Sequence, residues 1–370
     1  MKRLFVPGVI LLALLGGTGA QPEERDQRHV FTRVNLVSDI AGVARFTDAN
    51  LVNPWGLAFG PTSPFWVADN GSGVSTLYNS RGQAFPVAAP LVVTIPSPTN
   101  PTGGGTPTGL VFNGTGEFVV SATGKSGSPP FLFATEDGTI LGWSPTVNGT
   151  QAIIAVDNSG AGAVYKGLAI ASTPQGNFLY ATNFHAGLIE MYDKNYQLVK
   201  TFTDPQVDTN FAPFGIQTIG GQLYVTFALQ KLPDKHDDQA GPGNGYVDVF
   251  APDGTFVRRV ASHGTLNSPW GLARAPNGFG AFSHHLLVGN FGDGRINAFD
   301  TADHFDGQLT DPAGNPLTVN GLWALRFGNG APHGGSRDTL FFTAGIADES
   351  HGLFGFIQAG HEREEDDAEP

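Results

Sequence analysis

The chain has no cysteine, only 2 methionines, and few charged residues, 14% of its 370 positions. Without cysteine there is no disulfide, no thiolate metal site and no cysteine nucleophile, so packing and hydrogen-bonded ladders must carry the stability. Beyond the N-terminal stretch there is no apolar run approaching the ~20 residues that a membrane span needs. Basic residues are scarce too: 20 Lys and Arg stand against 33 Asp and Glu, a formal net charge of -13. That balance offers no footprint for a polyanionic backbone and argues against nucleic acid as a partner. The Gly-x-Ser-x-Gly elbow, the His-Glu-x-x-His zinc motif and the phosphate-binding loop are all missing, which leaves serine hydrolase, zincin and nucleotidase chemistry without their usual support.

What is abundant is glycine (51), proline (26) and phenylalanine (28), a composition suited to short strands joined by tight turns in one large β domain. Residues 1–20 read as an export signal, with Lys2 and Arg3 as the basic start, 9–15 as the apolar core and Thr18-Gly19-Ala20 as the cleavage site. An uncleaved anchor is the alternative, but the apolar run is short for one. Residues 21–29 read as a flexible leader and 359–370 as an acidic disordered tail. The expectation is an exported, monomeric protein of the periplasm or the extracellular space, with no membrane span once the signal is removed.

Between these ends the chain repeats itself. Pro54-Trp55-Gly56-Leu57-Ala58 returns unchanged at Pro269-Trp270-Gly271-Leu272-Ala273. Looser copies align on Gly109-Leu110, Gly167-Leu168, Gly215-Ile216 and Gly321-Leu322, at irregular spacings of roughly fifty residues, as when loops absorb the variation. Each pair is followed by a second apolar run (65–68, 118–122, 178–181, 223–227, 286–288, 340–343) and, after a turn, by a third (74–78, 139–143, 188–192, 246–250, 295–299, 353–357). A fourth, more exposed run follows at 91–95, 151–156, 198–202, 256–260 and, weakly, 317–319. The sixth copy lacks its fourth run, while residues 30–39 alternate apolar and polar ahead of the first copy.

The pattern predicts an all-β, six-bladed β-propeller over 30–358. Its blades are four-stranded and antiparallel, and strand 30–39 completes the last blade, which removes the open edge of the ring. Two stacked β-sandwiches are the alternative on composition alone. The repeated glycine fits the ring, because strands crowding one axis need a position without Cβ.

The Pro-x-Gly-Leu/Ile strand, Leu179-Tyr180-Ala181-Thr182-Asn183, and strands ending in Tyr-Asp or Phe-Asp resemble NHL-type six-bladed propellers. NPWGLAFGP, ATNF and GNFGDG are similar to an uncharacterised family of exported bacterial propellers, some of which end in a PEP-CTERM sorting signal. The tail 361–370 has neither the apolar segment nor the basic end of that signal. More distantly the chain resembles the gluconolactonase and regucalcin group, which implies a divalent metal at the centre of one face. Asn53-Pro54-Trp55-Gly56 stands where that group carries Glu-Gly-Pro-x-Trp.

In such a ring the turns between second and third strands emerge around the channel mouth. Here they are 69–73, 123–130, 182–187, 228–245, 289–294 and 344–352. The candidate ligand-binding residues on this face are Asp69, Asn70, Asn183, His185, Asn290, Asp293 and His351, with His236, Asp237, Asp238 and Glu349 in the same turns. His185, His351 and Asp348 form a candidate set for a divalent cation such as calcium, in which oxygens and imidazoles converge from several blades. The same Asn, Asp and Gly residues also serve tight turns. His236-Asp237-Asp238 lies in the longest turn, read as a lid or as a solvated charged loop. Two functions follow: binding of a small molecule, protein or glycan at the polar central face, or metal-assisted hydrolysis of lactones or esters.

Overall fold

The structure is a computed structural model that describes residues 30–360. The expected signal (1–20), leader (21–29) and nearly all of the acidic tail lie outside the described residues.

Six blades surround one axis. The first holds strands Pro54–Ala58, Phe65–Asp69, Val74–Tyr78 and Val92–Thr94. The second holds Pro107–Phe112, Phe131–Thr135, Thr139–Trp143 and Ile153–Asp157, and the third Tyr165–Thr173, Gly176–Asn183, Leu188–Tyr192 and Leu198–Phe202. The fourth follows with Phe211–Ile219, Gln222–Leu229, Tyr246–Phe250 and Phe256–Ser262, and the fifth with Pro269–Arg274, Leu286–Asn290, Ile296–Phe299 and Phe305–Gln308. The sixth is built from Leu322–Phe327, Leu340–Ile346 and His351–Ala359, and is completed by the N-terminal strand Phe31–Ser38. That strand runs antiparallel to the third, with Phe31 opposite Ala359 and Ser38 opposite Leu353. The β-propeller and its closure are as the sequence predicts.

Burial explains where individual strands depart from expectation. In the second blade residues 118–122 do not form the second strand. They lead into a separate hairpin, Val120–Ala122 with Lys125–Gly127. Only alternate residues of that run are covered, Phe118 and Val120, while Val119 stays 51% exposed. Phe131–Thr135 is buried at every position, as an inner strand must be, and takes the place instead. In the fifth blade Leu317 and Val319 are core residues of a loop, and the fourth strand is Phe305–Gln308.

The glycines work as close-approach positions. A Cβ on Gly56 would lie 2.4 Å from the Thr108 carbonyl oxygen, and one on Gly215 would lie 2.1 Å from that of Trp270. Gly271 faces the Trp323 carbonyl in the same way, so the sixth blade's counterpart is Trp323-Ala324-Leu325 and not Gly321-Leu322. Gly321 serves its own turn, at φ +67 with the Gly345 carbonyl beside it. Threonines on second strands lock neighbouring blades: Thr343 Oγ1 donates to Trp55 O at 2.6 Å and Thr182 Oγ1 to Phe214 O at 2.7 Å.

Ring closure depends on Phe31, which is fully buried against Phe279 and Phe282 with centroids 5.0 and 5.9 Å away. Phe31→Ala is therefore expected to cost about 3–5 kcal/mol in urea unfolding. A cost below about 1 kcal/mol would mean that the strand is not part of the cooperative ring.

Candidate functional site

The residue just before each close-approach position forms a ring across the channel: Trp55, Thr108, Lys166, Phe214, Trp270 and Trp323. Three tryptophans and a phenylalanine close it. Trp55 stacks on Trp323 at 3.5 Å, Trp270 meets both edge-on at 6.1 and 5.9 Å, and Phe214 meets Trp55 edge-on at 6.4 Å. The edge-to-face arrangements among them add to the burial energy of the rings. Two indoles are also tied by hydrogen bonds, Trp323 Nε1 to Asn53 Oδ1 at 3.0 Å and Trp270 Nε1 to Lys166 O at 3.1 Å.

The third blade breaks the pattern with a lysine. The Lys166 side chain is only 2% exposed, and its ammonium lies 5.1 Å from the Trp55 ring centroid and 5.8 Å from that of Phe184, within cation–π range. A buried ammonium needs a partner. It donates to Glu136 Oε1, from the turn between second and third strands of the second blade, and lies 3.7 Å from Asp237 Oδ1.

From Glu136 a polar chain continues around the mouth. Glu136 Oε2 accepts from Asn70 Nδ2 at 2.8 Å. Asn53 Nδ2 donates to Glu349 Oε2 at 2.8 Å and reaches Asn70 Oδ1 at 3.4 Å. Lys166, Glu136, Asn70, Asn53 and Glu349 thus link the third, second, first and sixth blades.

The fourth blade contributes the long loop after Leu229. Gln230 bridges Asp238, Lys231 N donates to Asp237 O at 2.8 Å, and Gln230 Nε2 donates to Phe184 O at 2.5 Å. The His185 ring meets Asp234 O at 3.0 Å. The loop is therefore an ordered arch pinned to the third blade, and its tip brings His236 and Asp237 to the mouth. His236 Nδ1 and Asp237 Oδ1 are 2.9 Å apart. That hydrogen bond, with Lys166 nearby, lowers the Asp237 carboxyl to about 2, and the same bond raises His236 against the opposing charge of Lys166. Burial acts the other way on Asp238 and Glu349, holding both carboxyls above their ordinary values. Beside the plug, Phe291, Asp293, Asn320, Asp348 and Glu349 line an open hollow of about 420 Å³. The Phe291 ring is half-buried and stacks on Trp323 at 4.0 Å.

No family model matches the chain. Proteins of Acanthamoeba polyphaga mimivirus do. "Uncharacterized protein R648" is 33% identical over 93% of this chain and 85% of its own length. "Uncharacterized protein L690" is 32% identical over 87% and 84%. The chain belongs to their family. These relatives are viral, whereas the motifs resemble a bacterial family. Solved structures of similar shape include a streptogramin B lyase (TM-score 0.53, 12% identity, 89% of this chain and 97% of that one). The soluble aldose sugar dehydrogenase of Escherichia coli is another (TM-score 0.52, 13% identity, 90% and 100%). At such identities the likeness is one of fold, that of the six-bladed propeller.

For this family member the expected site residues fall into two groups. Asn70, Asp293 and Asp348 reach the mouth or its hollow, with Asp293 Oδ1 also accepting from Asn290 Nδ2 and Arg295 N in its own turn, each at 3.1 Å. The others serve their turns or neighbouring backbone. Asp69 is fully buried, with its Oδ2 accepting from Thr76 N at 3.0 Å and Thr76 Oγ1 at 2.8 Å. Asn183 accepts from Ala186 N at 3.2 Å and donates to Glu190 at 2.8 Å, and Asn290 donates to Thr265 O at 2.8 Å. His351 Nδ1 lies 2.6 Å from Asp39 Oδ2, while His185 faces Asp234 O, so the two imidazoles have separate partners. Among the described residues, the group of three whose ligand atoms lie within 4.8 Å of one another is Glu136, His236 and Asp237. Its donor set suits a divalent cation. The Lys166 ammonium already stands against two of those three, and an ion would have to displace it.

Two predictions follow from these contacts. Glu136→Gln leaves the buried Lys166 ammonium without its charge partner and should cost about 3 kcal/mol in urea unfolding. A cost within the ~0.5 kcal/mol of an ordinary surface change would contradict the pairing. The raised Glu349 carboxyl means that the folded state binds this proton more tightly than the unfolded chain does. Its contribution to stability is complete below the ordinary value of about 4.3 and is lost as pH rises through the folded one. Glu349→Gln should therefore flatten the fall of unfolding free energy above about pH 4, and an unchanged slope would contradict the burial argument.

Proposed function

We propose that this protein is an exported binding propeller that holds a small molecule rich in hydroxyl or ammonium groups in the hollow beside its central plug. The observation that carries this reading is the pairing of an accessible aromatic face, Phe291 stacked over Trp323, with the carboxylates Asp293, Asp348 and Glu349 around the same 420 Å³ space. Ionised carboxylates only accept hydrogen bonds, so they select a ligand that donates. An aromatic face attracts a cation electrostatically and covers the apolar side of a sugar ring. The volume lies within the range of small-molecule sites. The basic and apolar start of the sequence supports a setting outside the cytoplasm.

A second reading, metal-assisted hydrolysis, is favoured by one observation, the convergence of Glu136, His236 and Asp237. A cation there would polarise a carbonyl as a Lewis acid. The buried Lys166 ammonium weighs against it, because it already supplies positive charge to those carboxylates. The lyase and dehydrogenase neighbours bear on neither reading, since propellers host unrelated functions.

Calorimetric titration with glucosamine, glucose and spermidine tests the proposal. Binding of at least one is expected, weakened about tenfold or more by Phe291→Ala, and Glu349→Gln should reduce any preference for the cationic over the neutral sugar. Binding that neither substitution alters would place the ligand elsewhere. A melting shift on adding Ca²⁺ or Zn²⁺ that disappears in Glu136→Gln would favour the metal reading instead.

A further inference from the structure

The first strands do not stop at the aromatic plug. Lys166 stands at the charged mouth and Ile170 lies four residues further along the same strand, roughly 13 Å at ~3.3 Å per residue. Between them the channel narrows to a void of about 20 Å³ enclosed by Leu57, Leu110, Leu168, Ile216 and Leu272. On the far side it widens again into a funnel of about 180 Å³, lined by Phe59, Phe112, Leu168, Ile170, Thr218 and Arg326.

The arginine is out of keeping with that lining. At the position two residues past the ring, five blades carry Leu57, Leu110, Leu168, Ile216 and Leu272, each followed by Ala58, Val111, Ala169, Gln217 or Ala273. The sixth has Leu325 followed by Arg326. Arg326 is half-buried, its backbone is held in register opposite Phe341, and its guanidinium lies 5.1 Å from the Phe59 ring centroid. Among the described residues its side chain makes no hydrogen bond and no ion pair. Other half-buried arginines are satisfied: Arg258 binds Asp303 and Tyr224, and Arg259 binds Asp248 and Asp204. Burial alone pushes the Arg326 guanidinium below its ordinary value, with no carboxylate opposing the effect.

A guanidinium presents five donors in a planar fork that matches a carboxylate, and it stays charged in proteins. The Phe59 ring attracts the charge but takes up none of the five N–H donors, which remain free for a ligand. An apolar cavity of ~150 Å³ holds a benzene molecule, so this funnel has room for a body of about that size.

We propose that the funnel on the face opposite the charged mouth is a second ligand site, which binds a small organic carboxylate: Arg326 takes the carboxylate, and Phe59, Phe112 and Ile170 cover the apolar body. Selectivity follows from the arrangement. A neutral amide of the same shape offers Arg326 only one acceptor and no charge, while an inorganic anion leaves the apolar walls uncovered.

The test uses the full chain with benzoate and benzamide as probes, followed by calorimetry or saturation-transfer NMR. Benzoate is expected to bind and benzamide to bind at least about tenfold more weakly, in line with the strength of charge-assisted hydrogen bonds. Arg326→Gln should remove that difference with little change in the melting temperature, because it breaks no hydrogen bond or ion pair and gives up only the contact with the Phe59 ring. Glu349→Gln, at the other face, should leave benzoate binding unchanged, which separates this site from the one proposed above. Absence of benzoate binding up to about 10 mM, equal affinity for the two probes, or undiminished benzoate binding by Arg326→Gln would overturn the proposal. If Arg326→Gln does not fold, the comparison of the two probes on the unaltered chain decides alone.

Discussion

Around the axis, four first strands lay a carbonyl oxygen against a glycine of the neighbouring first strand, and Gly109 lies as close to the backbone at Gly167-Leu168. This contact fixes how closely the blades approach, and much of the central structure follows from it. Gly56 against Thr108 and Gly215 against Trp270 leave no room for a Cβ. The residue one step before each such position is then at the channel, whatever its chemistry. Six strands therefore deliver six side chains to one level, and the sequence at that level decides whether the channel is open, plugged or charged.

Here it is plugged and charged together. Trp55, Trp270, Trp323 and Phe214 fill the level, and Lys166 puts one ammonium over the indole of Trp55. That single substitution organises the mouth. The ammonium draws in Glu136 and Asp237, Glu136 orients Asn70, and the arch of the fourth blade closes over the group. The two ends of the channel differ in sign: carboxylates predominate at the mouth, and the unpaired Arg326 stands at the far end.

The ring itself was legible because its signals are local and repeated: Pro-Trp-Gly-Leu, alternating strands, and a surplus strand 30–39 to match a missing one. The site was legible only in part. Asn70, Asp237 and Glu349 sit in turns that any propeller points at its mouth, and such turns can be read from position alone. Lys166 was invisible because it lies inside a strand, one residue before Gly167, where the sisters' tryptophans mark the channel level without naming it as a place for charge. Glu136 was hidden by a competing apolar run, since Phe118 and Val120 imitate an inner strand until the exposure of Val119 shows that one face is uncovered. The histidines show the opposite case, in which position in matching turns does not fix the partner. His185 and His351 occupy matching turns, but each has a different partner, Asp234 O for the one and Asp39 for the other.

A buried ion pair between Lys166 and Glu136 holds the mouth together. A double-mutant cycle with Lys166→Met and Glu136→Gln, followed by urea unfolding, measures that coupling directly. An interaction energy of at least about 1.5 kcal/mol is expected, as for other close, poorly solvated charge pairs. Additive effects, with a coupling below about 0.5 kcal/mol, would contradict it.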